Sequence, residues 1–231
     1  MLVLKLVCGR VIIEGTRSSE NARSTNVAHI EMHRFKSKNN EFSPMKVKKS
    51  PRTALFPCPV VLVTSVGLSG KPNIITVAWA GTVCSDPPML SVSIRPSRYS
   101  CKSISDSGEF VVNIPTKTIL RQVDFCGMVS GKTVDKFAKT GLTPESAAKV
   151  KAPLIKECPV NIECVVKNQM PLGAHRMFLG EIVQVHVDKE ILDETGKIDF
   201  NKALPFVYNE GEYWSLGEKI GLYGFSVSKK E

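Results

Sequence analysis

The chain has 231 residues, 42% of them hydrophobic and 23% charged, which is enough apolar material for a real core and excludes wholesale disorder. Thirty-one Lys and Arg stand against 22 Asp and Glu, a formal net charge of +9, but no run of five basic residues occurs. Nucleic-acid binding needs clustered charge, so a soluble basic surface suited to anionic small ligands is the better reading. No apolar run reaches the roughly 18 residues of a membrane span.

Met1–Ile13 is apolar but interrupted by Lys5 and Arg10, and it lacks the basic start and cleavage site of a signal peptide. It could form a short strand or helix. Residues 14–50 are polar, rich in Ser, Asn and Lys, and aperiodic, so they read as disordered or loosely attached. The division expected is a polar extension over 1–50, with Met45 as an alternative start, and a folded domain over 51–231. The seven cysteines include no CxxC pair, no His sits at zinc spacing, and no metal site is expected. Reduced thiols in a cytoplasmic protein are the default. Cys164 lies in an alternating strand and belongs in the core.

The folded pattern starts near Pro57. Val60–Val66 (VVLVTSV) is a β-branched run fit for a buried strand, Gly67–Pro72 a turn, and Asn73–Ala80 (NIITVAWA) the next strand. Ser85–Pro88 is a second turn. Met89–Ile94 alternates as a strand. Ser97–Ser107 reads as a helix capped at Ser97 and stopped by Gly108. Glu109–Ile114 is a strand, followed by helical stretches near Thr118–Cys126 and Thr133–Thr140, the second closed by Gly141. Pro159–Lys167 and Met177–Val187 are longer strands, Asp193–Lys197 a tight turn, and Tyr213–Leu216 a last short strand. At least six strands with few helices between them predict a mostly β fold, an antiparallel barrel or sandwich. The gaps are too short for a Rossmann sheet, and no repeat is visible.

The familiar nucleotide, zinc-protease and hydrolase motifs are missing. Of four His, His186 alternates between Val185 and Val187 as an outward strand side chain, while His175 follows Pro171–Ala174 at a strand mouth. His175 reads equally as a functional residue and as an ordinary surface histidine. Arg95, Arg98 and Lys102 sit beside Ser97 and Ser100 at a helix start. That arrangement reads as a phosphate site, against a solvated basic turn as the plainer alternative.

The succession PCPVVLVTSVGLSGKPNIITVAWAGTVCSDPPMLSVSIRPSRYS, SGEFVVNIP, VDFCGMVSGKTVDKF, GLTPE, KAPLIKECPVNIEC and LGAHRMFLGEIVQVHVD resembles the flavin reductase-like, FMN-binding split-barrel family, most closely its flavoredoxin-type branch. The resemblance runs from about Thr53 to Val227. It implies a split β-barrel homodimer with FMN where the subunits meet, hydride taken from NAD(P)H, and electrons passed to an acceptor. That acceptor could be free flavin, ferric iron or a protein partner, with neither nucleic acid nor membrane involved. On this resemblance, Asn73, Thr76, Ala78 and Trp79 match the strand along the isoalloxazine. Cys84 and Ser85 match the loop closing over it, where the Thr82–Ser85 amides would meet its polar edge. Arg95, Ser97, Arg98, Tyr99 and Ser100 match the phosphate side, and Cys126 and Lys136 a block near the site. His175 matches the nicotinamide side, although Ala174 stands where the family often has Asp. Residues 1–44 have no counterpart. The alternatives are an FMN electron carrier with little NAD(P)H turnover of its own, a barrel that has lost flavin, and a pyridoxine-phosphate oxidase-type flavoprotein.

Overall fold

The computed structural model describes residues 2–7, 10–15 and 46–227. The expectation of disorder over residues 16–45 therefore lies outside the described residues. Two units separate by their contacts, Met1–Pro51 and Arg52–Glu231. In the first, β1 (Leu2–Val7) and β2 (Arg10–Gly15) form an antiparallel hairpin with Val7 opposite Arg10.

The second unit carries the remaining elements. A short β3 (Cys58–Pro59) leads into β4 (Val61–Val66), β5 (Pro72–Val77), β6 (Ala80–Ser85) and β7 (Pro88–Ile94). Then come α1 (Tyr99–Ser107), β8 (Glu109–Ile114), α2 (Leu120–Met128) and α3 (Lys136–Thr140). The short pair β9 (Pro144–Glu145) and β10 (Leu154–Ile155) precedes the long hairpin β11 (Val160–Leu172) and β12 (His175–Val187). Last are α4 (Phe200–Ala203), β13 (Phe206–Asn209) and β14 (Glu212–Ser215).

Seven strands make one antiparallel sheet in the order β5-β4-β8-β11-β12-β7-β6. Its two edge strands, β5 and β6, are joined through only Ala78 and Trp79. So short a link draws the two edges of the sheet together, and the sheet curls into a barrel. The edges do not pair with each other, which leaves the barrel split at residues 78–79.

The β-branched run in β4 is buried on both faces. Val61 and Val63 join Ile75, Val92, Phe110 and Phe178 inside the barrel, while Leu62 joins Ile74, Val123 and Phe137 under α2 and α3. Gly180 is required in this wall, because a Cβ there would lie 2.7 Å from the Phe110 ring. On the outer face of β8 and β11, segment 144–155 covers Val111 and Val165 with Val150, Ala152 and Leu154. Glu163, fully buried, clamps that segment by accepting the N–H groups of Ala148, Lys149 and Val150 at 2.6–3.1 Å.

Four expectations need correction. His186 is half-buried rather than a free outward side chain, since its Nε2 lies 2.5 Å from Glu163 Oε1. Thr82–Ser85 is strand, paired to β7, rather than loop, and the expected strand Asn73–Ala80 ends at Val77 where the seam turns. The helix cap is Arg98 rather than Ser97, with no side-chain capping bond, while Gly108 does close the helix at φ +70°.

Candidate functional site

A cleft of about 410 Å³ opens at the seam. Its floor is Ile75–Val77 of β5 with Ala78 and Trp79 of the link. The link is anchored to β7 by Ser93 N–H donating to the Trp79 carbonyl at 2.8 Å. One wall is aromatic: Trp79 lies 6.0 Å from Tyr208, which lies 6.4 Å from Tyr213, centroid to centroid. Both tyrosines come from the β13–β14 hairpin, whose two-residue loop puts Glu210 and Gly211 at positive φ. The Tyr213 hydroxyl donates to Asp124 Oδ1 at 3.1 Å, and burial together with that carboxylate pushes its pKa up to about 12. The end of α2, Gly127 and Met128, also lines the cleft.

The basic end is the turn Arg95–Arg98, closed by Arg98 N–H to the Arg95 carbonyl at 2.9 Å. Arg95 is exposed and Arg98 half-buried, and both line the cleft. Among the described residues neither guanidinium meets a carboxylate. Immediately beyond them α1 begins; in its first turn Cys101 N–H donates to the Arg98 carbonyl at 3.0 Å, while the amides of Tyr99 and Ser100 have no acceptor within the helix. His175, first residue of β12, stacks on Trp79 with centroids 6.5 Å apart and planes at 17°. Burial and then the charge of Arg95 hold its pKa below 6.5, so at neutral pH it is an uncharged ring.

Six of the residues singled out from sequence line the cleft: Thr76, Ala78, Trp79, Arg95, Arg98 and His175. The Thr76 hydroxyl is already engaged with the Val123 carbonyl at 2.5 Å, so it ties α2 to β5 while facing the cleft. Asn73 and Ser100 lie behind the lining, both buried, with Asn73 Nδ2 donating to Ser100 Oγ at 2.7 Å and bracing the start of α1 against β5. Gly131 closes over this pair, because a Cβ there would sit 2.1 Å from Asn73 Oδ1. Ser97 is exposed in the basic turn and Tyr99 half-buried. Cys84 and Ser85 end β6 away from the cleft lining, with Cys84 Sγ donating to the Asp86 carbonyl.

Cys126 and Lys136 also sit behind the wall. Cys126 is wholly buried, and burial raises its thiol pKa to about 11. Lys136 is 4% exposed, and its Nζ donates to the carbonyls of Ile74 on β5 and Cys126 on α2, both at 2.7 Å. Burial lowers its pKa to about 8, with the neighbouring thiol opposing and Arg98 reinforcing that shift. Tyr208, Met128 and Asp124 were not found from sequence. An aromatic run ending in Glu-Gly before Glu212–Ser215 was the available signal for the hairpin.

A split antiparallel barrel with a cleft at its seam, aromatic along one wall and doubly cationic at a helix start, has the chemistry to suit a flat ring system carrying an anionic group. The flavin reductase like domain matches residues 53–217, and the chain belongs to that family, in its flavoredoxin branch. Flavoredoxin of Desulfovibrio vulgaris (Miyazaki F) superposes with a TM-score of 0.75 at 38% identity, over 80% of this chain and all of that one. Flavoredoxin from Methanosarcina acetivorans does so at 0.73 and 31%, over 79% and 97%. A protein of Archaeoglobus fulgidus is 40% identical over 147 residues, 64% of this chain and 81% of its own length.

Proposed function

We propose that the cleft binds FMN and that the protein is a flavin-dependent oxidoreductase. On this reading it accepts reducing equivalents from NAD(P)H and delivers them to free flavin, ferric iron or a protein partner. It works as a homodimer in the cytoplasm. The observation that carries this reading is the pair of carboxylate-free guanidiniums, Arg95 and Arg98, at the start of α1 and at one end of an aromatic-walled cleft. The donor set fits the group: two guanidinium forks and first-turn amides for a phosphate, and Trp79, Tyr208 and Met128 against a planar ring.

When bound, the flavin supplies reversible one- and two-electron redox chemistry, and the protein supplies its position and surroundings. Arg98 and Arg95 hold the phosphate end. Asn73, through Ser100, keeps the start of α1 seated for that task. Trp79, backed by His175, borders the open mouth where a nicotinamide would approach, and the neutral imidazole adds no charge there. An anaerobic titration of the FMN-loaded protein with NADH and NADPH, followed by flavin absorbance, tests the reading. Bleaching by either nucleotide is expected. Failure of the purified chain to retain FMN would remove the proposal altogether.

The names of the two flavoredoxins favour a second reading, an FMN electron carrier with little NAD(P)H turnover of its own. The same titration separates the two, since a carrier holds FMN but is bleached slowly or not at all by NAD(P)H.

A further inference from the structure

Past β14 the chain leaves the cleft wall at Tyr213 and runs through Leu216–Val227 with its apolar side chains outward. Ile220 and Tyr223 are fully exposed, and Leu222, Phe225 and Val227 are 68–84% exposed. The segment has a shape of its own: Phe225 N–H donates to the Leu222 carbonyl at 3.1 Å, and Gly221 packs beneath the Phe225 ring. Together with Trp214 and Leu216 these side chains present on the order of 1,000 Å² of surface, against roughly 800 Å² per subunit in a stable dimer. A monomer has no reason to order so many large apolar groups in water.

A second surface of the same character lies on the barrel. In β12, Phe178 and Gly180 face the core across from Val92 and Leu90, so Met177 and Leu179 face outward. Residues directly opposite in an antiparallel pair share a face, which adds Met170 across from Met177 and Leu172 across from His175. Ser91 and Ser93 of β7 extend this face with small side chains. An antiparallel sheet open to water on one side is expected to be polar there. Segment 144–155 covers the outer face over β8 and β11, whereas Met170 and Leu172 remain 43% and 45% exposed.

We propose that Leu216–Val227 is an arm that packs on the outer face of β7 and the β11–β12 hairpin in a second copy of this chain, each copy giving one arm and receiving one. Within one copy the arm is exposed and the receiving face part-exposed, Met177 and Leu179 being half-buried, so a second copy satisfies both at once and closes the assembly with two-fold symmetry. The occupant is self-complementary and apolar rather than charged, because each copy carries a formal +9 and copies repel at long range. The matched family domain ends at residue 217, so almost all of the arm lies beyond it. The proposal rests on the homodimer of the reading above and names what holds it.

Sedimentation of the full chain at micromolar concentration, beside a chain ending at Gly217, tests it. The full chain is expected to be a dimer that tightens as salt screens the mutual repulsion, and the shortened chain a folded monomer. Phe225→Asp in the exposed arm and Leu179→Asp on the receiving face should each weaken the dimer roughly thirtyfold or more. Phe200→Asp, an equally exposed aromatic on α4, should leave it unchanged. A shortened chain that remains a full-strength dimer overturns the arm while leaving the homodimer standing, as does Phe200→Asp dissociating it as readily as Phe225→Asp. A monomeric full chain overturns both. The receiving face borders the cleft at Ser93 and His175, so a monomeric full chain that still retains FMN by its absorbance overturns the dimer and the arm while leaving the cleft reading standing.

Discussion

Among the described residues Lys136 is a buried cation with no carboxylate partner, and replacing it with methionine gives the sharpest test of the packing behind the cleft. Its Nζ joins α2 to β5 through two carbonyls at 2.7 Å. Methionine fills a similar volume but leaves the Ile74 and Cys126 carbonyls without that donor, a loss of roughly 1–3 kcal/mol at neutral pH. The pH dependence is more diagnostic. The folded pKa is lowered from 10.5 to about 8, so between those values the unfolded chain holds a proton that the folded chain has released. Wild-type stability therefore gains from this residue as pH rises, by about 2 kcal/mol between pH 7 and about pH 9.5. Lys136→Met lacks that gain. Cys126, raised to about 11 beside it, pulls the other way, because its thiol ionises more easily in the unfolded chain. That contribution is present in both proteins and largely cancels in their difference. Urea unfolding of both proteins at the two pH values is the assay, and the gap between them should widen by about 2 kcal/mol at the higher pH. A gap that stays constant would show that Lys136 is not buried as a strained cation, and the argument would fail.

Arg98→Ala should lose FMN affinity roughly ten- to a hundredfold, corresponding to about 1.5–3 kcal/mol, while riboflavin, which has no phosphate, binds variant and wild type alike in a fluorescence titration. An equal loss for both ligands would place Arg98 against the ring rather than the phosphate. Glu163→Gln should destabilise the chain by about 2–3 kcal/mol at neutral pH. Burial raises the Glu163 pKa, but His186 and the amides of Ala148, Lys149 and Val150 together bring it below the usual 4.5. The wild-type advantage should thus be complete above pH 4.5 and fade on further acidification, as melting curves across that range would show. A chain beginning at Met45 should bind FMN with unchanged affinity, since every cleft-lining residue belongs to the unit Arg52–Glu231. Loss of flavin in that truncation would tie the head to the site.

The central strands were legible because burial leaves a periodic trace. Glu109–Ile114 has the bounds its pattern predicts, and Met89–Ile94 differs by one residue. Ala80–Ser85 was not legible as a strand. Its small, polar, exposed residues carry no alternation, and its conformation comes from pairing along β7 at the edge of the sheet. Phe206–Asn209 failed for a related reason. It is four residues long and takes its place by pairing back to Cys58–Pro59, on the far side of the whole barrel in sequence.

The site divides along the same line. The basic end is written in six consecutive residues, so a local reading of guanidiniums before a helix finds Arg95 and Arg98. The aromatic wall is assembled from Trp79 and a hairpin more than a hundred residues later, and no local pattern marks it. Asn73, Cys126 and Lys136 fall between these cases: their segment resembles a family block, but only the packing shows that they stand behind the lining. What brings both halves together is the two-residue link at Ala78 and Trp79. Too short to let β5 and β6 run apart, it holds the two unpaired edges face to face. The cleft opens where the sheet fails to close. A site of this kind needs no mobile lid to exist, and its shape depends on whatever keeps α2 and the β13–β14 hairpin pressed to β5, chiefly the buried Lys136 bridge, Thr76 on the Val123 carbonyl and Tyr213 on Asp124.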